Sequence, residues 1–144
     1  MSAILDASAL VALANDEPAA EAVAGLLRGG EAAMVTLNLA EAVERLARFG
    51  NPFERVRDLV APTIEQSVRL IDMDAPLAWR AAELRTRHYH RTRTPVSLAD
   101  CALVAAAGPQ DRVATSDAPV LRVARAEGIA VLALPDSTGR PGSA

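Results

Sequence analysis

The chain has 144 residues, enough for one domain with its own core. Hydrophobic residues make up 51% and aromatics only 3%, so the core must be built from Ala, Val, Leu and Ile, and a net charge of −3 argues at first sight against a basic nucleic-acid-binding module. Apolar runs such as Ala9–Ala14 and Cys101–Ala107 are far shorter than the ~20 residues of a membrane helix, which excludes a helical membrane span.

Ala3–Leu5 is a short apolar run closed by Asp6, which reads as a buried strand. The N-terminus lacks a basic region and Asp6 interrupts its apolar stretch, so no signal peptide is expected and the protein is expected in the cytoplasm. Ser8 is a potential cap for a helix to about Asn15. Pro18 restarts a helix to about Arg28, stopped by Gly29 and Gly30. Ala32–Thr36 predicts a second strand. A helix follows from Asn38, with an apolar face of Leu39, Val43, Leu46 and Ala47, and ends at Gly50-Asn51-Pro52. Pro52 opens a helix to about Ala61, and Val68–Ile71 is a third strand. Ala75–His90 and Ser97–Ala107 read as helices, the second stopped by Gly108-Pro109. Arg112–Thr115 is a strand, Pro119–Glu127 a helix and Ala130–Ala133 a strand. Strands alternating with helices predict an α/β fold with a parallel sheet covered on both faces. Residues 1–134 form one domain in this reading, and 135–144, rich in Pro, Gly and Ser, a flexible tail. The single cysteine, Cys101, cannot form an intramolecular disulfide and sits in an apolar helical run, where it reads as core.

All 15 basic residues are arginine, because the sequence contains no lysine. P-loop hydrolysis and Schiff-base chemistry, which need lysine, are thereby excluded. Arginine suits bidentate phosphate contact, although a genomic base-composition bias explains the same absence.

Four acids fall where such a sheet would gather them. Asp6 ends the first strand, Glu41 lies just past the second, Asp100 is in the first turn of the helix from Ser97, and Asp117 follows the strand Arg112–Thr115. In an open parallel sheet the carboxyl ends of strands and the N-termini of helices face one crevice. Each acid also has a purely structural explanation. Ser97-Leu98-Ala99-Asp100 is a capping box, Asn38-Leu39-Ala40-Glu41 a variant of one, and Asp117 and Asp6 are N-cap residues. As a set they are harder to explain that way, because gathered carboxylates must protonate or bind cations. Oxygen-only ligands favour hard cations such as Mg²⁺ or Mn²⁺, and a pair of such ions can cleave a phosphodiester. With four cations' worth of carboxylate charge neutralised, the net −3 becomes +1, so the global charge says little about the local field.

These residues carry a family resemblance. Ile4-Leu5-Asp6-Ala7-Ser8-Ala9-Leu10 resembles the opening of PIN domains, in particular the VapC-type toxins of toxin–antitoxin pairs. Leu39-Ala40-Glu41, Ser97-Leu98-Ala99-Asp100-Cys101 and Ala114-Thr115-Ser116-Asp117 resemble their further acidic motifs, in order, from Ala3 to about Leu134. The resemblance implies a three-layer α/β/α fold and Mg²⁺- or Mn²⁺-dependent cleavage of RNA. It also implies a homodimer and a cognate antitoxin as inhibitor, with Asp6, Glu41, Asp100 and Asp117 as metal ligands or their close support. Ser8 and Thr115 match small hydroxyl positions beside the acids. The segment Arg93-Thr94-Pro95-Val96 lacks the glycine that the family often has before its third motif, which bears on substrate entry.

Arg85, Arg87, Arg91 and Arg93, with His88 and His90, form a basic stretch shortly before Asp100. It reads either as an RNA-backbone contact with Tyr89 for stacking, or as cations at a helix C-terminus. Trp79 reads as core or dimer packing. The helices Pro18–Arg28 and Asn38–Phe49 offer a groove for an antitoxin segment, or ordinary core faces. Two other classes compete with a nuclease. One is a PIN-like binding partner without catalysis, disfavoured by the presence of all four acids. The other is an aspartyl phosphatase, disfavoured by Ser8 two positions after Asp6 and by the absence of lysine.

Overall fold

In the structure, a computed structural model describing residues 1–142, five parallel strands form one sheet. They are β1 (Ala3–Leu5), β2 (Ala32–Val35), β3 (Arg69–Ile71), β4 (Arg112–Thr115) and β5 (Ala130–Ala133). The spatial order is β3-β2-β1-β4-β5, with every pair parallel. Seven helices connect them among the described residues: α1 (Ala7–Ala14), α2 (Ala20–Arg28), α3 (Thr36–Arg48), α4 (Phe53–Ser67), α5 (Ala75–His88), α6 (Leu98–Ala106) and α7 (Ala118–Ala126).

The strands sort their side chains by alternation. In β1, Ala3 and Leu5 face a core shared with α1, α2, α3 and α4, where Leu10, Val23, Leu46, Val56 and Ile64 are buried. Ile4 faces the opposite core, with Leu77 and Leu84 of α5, Leu103 of α6 and Val120 of α7. The three-layer α/β/α architecture follows. Cys101 is buried in the second core. Trp79 is not: at 79% exposed it stands out from α5, which removes the core reading.

Helix boundaries differ from expectation where a buried side chain overrules a local signal. Asp6, rather than Ser8, is the N-cap of α1, its Oδ1 accepting from the Ser8 amide at 3.3 Å. α2 starts at Ala20 rather than Pro18, after a turn in which the Ala20 amide donates to the Glu17 carbonyl. α3 follows β2 without a linker and starts at Thr36, so Asn38 and Glu41 are no capping box. α4 runs through Pro62 to Ser67, because the stripe Val56, Val60, Ile64 continues across it. Burying that stripe outweighs the roughly 3 kcal/mol that an interior proline costs. α5 ends at His88, and a turn bridged by His90 and Thr94 follows. In the expected tail, Asp136 Oδ1 accepts from the Thr138 and Arg140 amides, while Ser143 and Ala144 lie outside the described residues.

Candidate active site

The chain leaves β1 toward β2 and β3, then crosses back to β4 on the other side of β1. The strand order therefore reverses between β1 and β4, the place where an open α/β sheet binds its ligands. Asp6 and Thr115 stand at the carboxyl ends of those two strands. Asp6 is only 5% exposed. Its Oδ2 accepts from the Thr115 hydroxyl at 2.5 Å, and Thr115 Oγ1 in turn accepts from the Asp117 amide at 3.0 Å. One buried hydroxyl thus ties two of the four acids together.

Asp100 sits at the third position of α6 in a complete capping box. Its Oδ2 accepts from the Ser97 amide at 2.8 Å, and the Ser97 hydroxyl accepts from the Asp100 amide at 3.1 Å. The cap and the site share this residue. Burial pushes its pKa up to about 6 against the lowering effect of the Ser97 amide, and the charges of Asp6 and Asp117 push it further the same way. Asp117 occupies the N-cap position of α7 without a side-chain cap bond. Burial raises its pKa, and the Asp6 charge adds to that, opposed by the Val120 amide and Arg122. Glu41 is raised chiefly by burial and then by Asp6, with Arg45 pulling it down. Its Oε2 is buried and has no hydrogen-bond partner among the described residues.

Glu41 and Asp100 each feel the charges of Asp6 and Asp117, and Asp117 feels that of Asp6. Among the described residues, no three His, Cys, Asp or Glu side chains are close enough to enclose a metal ion as they stand. The donor set nonetheless suits a hard divalent cation: all oxygen, partly desolvated, with Glu41, Asp100 and Asp117 raised first by burial and then by neighbouring carboxylate charge, and with one carboxylate oxygen unpartnered. Ser8 lies beside Asp6 with its hydroxyl buried and unpartnered.

The basic stretch divides. Arg85 Nε donates to the Val96 carbonyl, and its guanidinium lies 4.2 Å from the centre of the Tyr89 ring. Arg87 pairs with Glu83 and Glu127, and His88 also meets Glu127. Arg91 and Arg93 are exposed on the turn that follows. The sequence pattern hid two other residues near the site. Asn38 is fully buried and reaches from α3 to the Ala99 carbonyl, one residue before Asp100, while its Oδ1 has no partner. Arg45, one helical turn after Glu41, acts on it electrostatically. A buried Asn on an apolar helix face was the signal for the first, and i,i+4 spacing for the second.

Residues 3–136 match the PIN domain family. The chain belongs to that family. PIN domains are typically nucleases. No curated protein matches this PIN domain by sequence. Among solved structures it is similar to the VapBC2 complex of Rickettsia felis bound to a DNA fragment from its promoter. That match has a TM-score of 0.64 and 16% identity, covering 92% of this chain and 98% of the other. It is also similar to FitAcB from Neisseria gonorrhoeae, with a TM-score of 0.58 and 22% identity, covering 90% and 95%. At such identities the likeness speaks for the PIN fold.

Proposed function

We propose that this PIN domain is a Mg²⁺- or Mn²⁺-dependent endoribonuclease acting as the toxin of a toxin–antitoxin pair in the cytoplasm. The observation that supports the reading is that Asp6 and Asp117, beside the β1–β4 reversal, bear electrostatically on both Glu41 and Asp100. When bound, a divalent cation supplies positive charge against the scissile phosphate and lowers the pKa of attacking water. Asp6 is held by Thr115 and the Ser8 amide in a single orientation. Asp100 is held by Ser97, and Glu41 keeps an unshared oxygen for a cation. Asp117 is fixed by its amide on Thr115, with its carboxylate at the N-cap of α7. Helix N-termini at α6 and α7 add favourable potential for phosphate.

The toxin role is supported by the similarity to VapBC2 and FitAcB. In place of the groove expected between the helices Pro18–Arg28 and Asn38–Phe49, we assign an amphipathic antitoxin segment to a groove of about 240 Å³ between α3 and α4, lined by Leu39, Val43, Val60, Ala61, Ile64 and Leu70 and edged by Arg57 and Glu65. We assign homodimer contact to the exposed Trp79 face of α5. The deciding experiment incubates the purified chain, free of any partner, with single-stranded RNA in Mg²⁺ or in EDTA, and repeats it with Asp6→Asn and Asp100→Asn. Cleavage in Mg²⁺ alone, lost in both variants, is expected. Cleavage that persists in both variants sinks the site assignment, and no cleavage of any RNA favours the non-catalytic binding partner.

A further inference from the structure

The five residues after α5 and Tyr89 are built as a tight, arginine-bearing turn. The His90 amide donates to the Thr94 carbonyl at 3.0 Å and the Thr94 amide returns a bond to the His90 carbonyl at 3.1 Å, which closes the turn at its base. Inside it, the His90 ring acts as a hub. Its Nδ1 accepts from the Thr92 amide at 3.2 Å and from the Arg93 amide at 3.1 Å. An accepting Nδ1 leaves the ring proton on Nε2. The backbone at the tip is therefore fixed by a side chain rather than by secondary structure.

Arg91 and Arg93 project from this turn, both exposed. Neither forms an ion pair with a carboxylate among the described residues, whereas Arg87, four residues before Arg91, is paired twice. The turn is also anchored to the acidic edge on two sides. It runs through Val96 into the Ser97–Asp100 capping box. Its Arg93 carbonyl accepts from Arg122 Nη2 at 2.6 Å, and Arg122 is close enough to Asp117 to lower its pKa. Two arginines without a carboxylate partner among the described residues are thus carried on a backbone turn joined to the segment that bears Asp100, where negative charge would otherwise repel a polyanion.

We propose that the His90–Thr94 turn is a clamp for the RNA backbone, in which Arg91 and Arg93 contact phosphates and His90 is the positioning residue that holds them in place. The inference rests on the ribonuclease reading above and narrows its basic stretch to two arginines. Arg85 and Arg87 are structural in this scheme, tying α5 to the segment before α6 and to Glu127 at the C-terminal end of α7. Phosphate contact of this kind is sequence-independent and salt-dependent.

The test measures binding of a fluorescent oligouridylate to the full chain in EDTA across a salt series, with cleavage kinetics in Mg²⁺ alongside. For single strands each phosphate contact contributes about −0.7 to the slope of log affinity against log salt. Arg91→Ala with Arg93→Ala is expected to make the slope shallower by about 1.4 and to weaken binding about 25-fold at about 0.1 M salt. KM should rise accordingly with kcat unchanged. Arg55→Ala, at an exposed position of α4 in the opposite layer, is the control for loss of a surface arginine away from the turn and should leave the slope alone. His90→Ala should raise KM without lowering kcat or the melting temperature. His90→Asn, whose carbonyl oxygen can replace Nδ1 as acceptor, should restore KM. If the parent chain binds and cuts RNA while the double variant keeps the parent slope, the clamp is overturned and the nuclease reading stands. If His90→Asn fails as badly as His90→Ala, the positioning role of His90 is overturned. A double variant that keeps its RNA slope but releases an acidic protein partner assigns the turn to protein docking instead. A parent chain that neither binds nor cuts RNA overturns both readings.

Discussion

Replacing Asp100 with Asn should make the metal-free protein more stable, although it removes a residue of the candidate site. Burial and the charges of Asp6 and Asp117 raise the Asp100 pKa from 3.8 to about 6. A carboxylate whose pKa is higher in the folded state binds its proton more tightly there. Its relative stability is therefore greatest below pH 4 and is lost as the pH rises toward and through about 6. A shift of about two units corresponds to at most about 3 kcal/mol, and residual solvent screening brings that to about 1–2 kcal/mol. The Asn side chain carries no charge, and its carbonyl oxygen can still accept from the Ser97 amide, so the cap survives. For a chain of this size the gain is about 3–6 °C in melting temperature. The assay is thermal unfolding in EDTA at about pH 8 and about pH 4. The variant should lie above the parent at the higher pH and converge with it at the lower. Mg²⁺ should then raise the parent's melting temperature and leave the variant unmoved. An Asn variant that melts no higher than the parent at about pH 8 would refute the claim that Asp100 is held charged against its environment.

Thr115→Val removes the donor to Asp6 and the acceptor for the Asp117 amide. It should cost about 2–3 kcal/mol in denaturant unfolding and reduce cleavage more than it reduces RNA binding. Cleavage should fall as the pH drops through about 6, where Asp100 takes up its proton, and raising Mg²⁺ should move the midpoint to lower pH, because cation and proton compete for the same oxygens. Ser97→Ala should lower stability by about 1 kcal/mol in denaturant unfolding, through loss of the α6 cap. Ala61→Glu, which places a charge on the wall of the α3–α4 groove, should abolish co-purification with an antitoxin while leaving RNA cleavage intact.

The alternation of elements was legible because the strands are short, continuous apolar runs, as in any parallel sheet buried on both faces. Ile4, Met34 and Val113 are all fully buried and belong to such runs. Asp6, Asp100 and Asp117 were legible as candidates because each lies at a strand end or helix start, whereas Glu41 falls in the second turn of α3. Less was legible where tertiary packing overrode a local rule. Pro62 signals a helix end, but the apolar stripe of α4 continues beyond it. Asn38 has the look of an N-cap, yet Thr36 follows β2 directly and accepts from the Met73 amide, which starts α3 two residues early. His90 continues the helical pattern of α5, but its ring organises a turn instead. In each case the competing partner lies far off in the sequence or depends on the direction of a side chain.

The hydroxyl of Thr115 has a further consequence for when the site can exist at all. It joins a residue at position 6 to one at position 117, across nearly the whole chain. β4 pairs with β1 in a register that sets Ala114 beside Leu5, and a slip of one residue would turn Thr115 away to the other face of the sheet. The candidate site is therefore a product of correct strand pairing between two distant parts of the chain. A chain that ends within β4 lacks Asp117, and a misregistered chain lacks the link to Asp6. A site assembled in this way is absent until β1 and β4 have paired, and hydrogen exchange at the Asp117 amide would report the moment it forms.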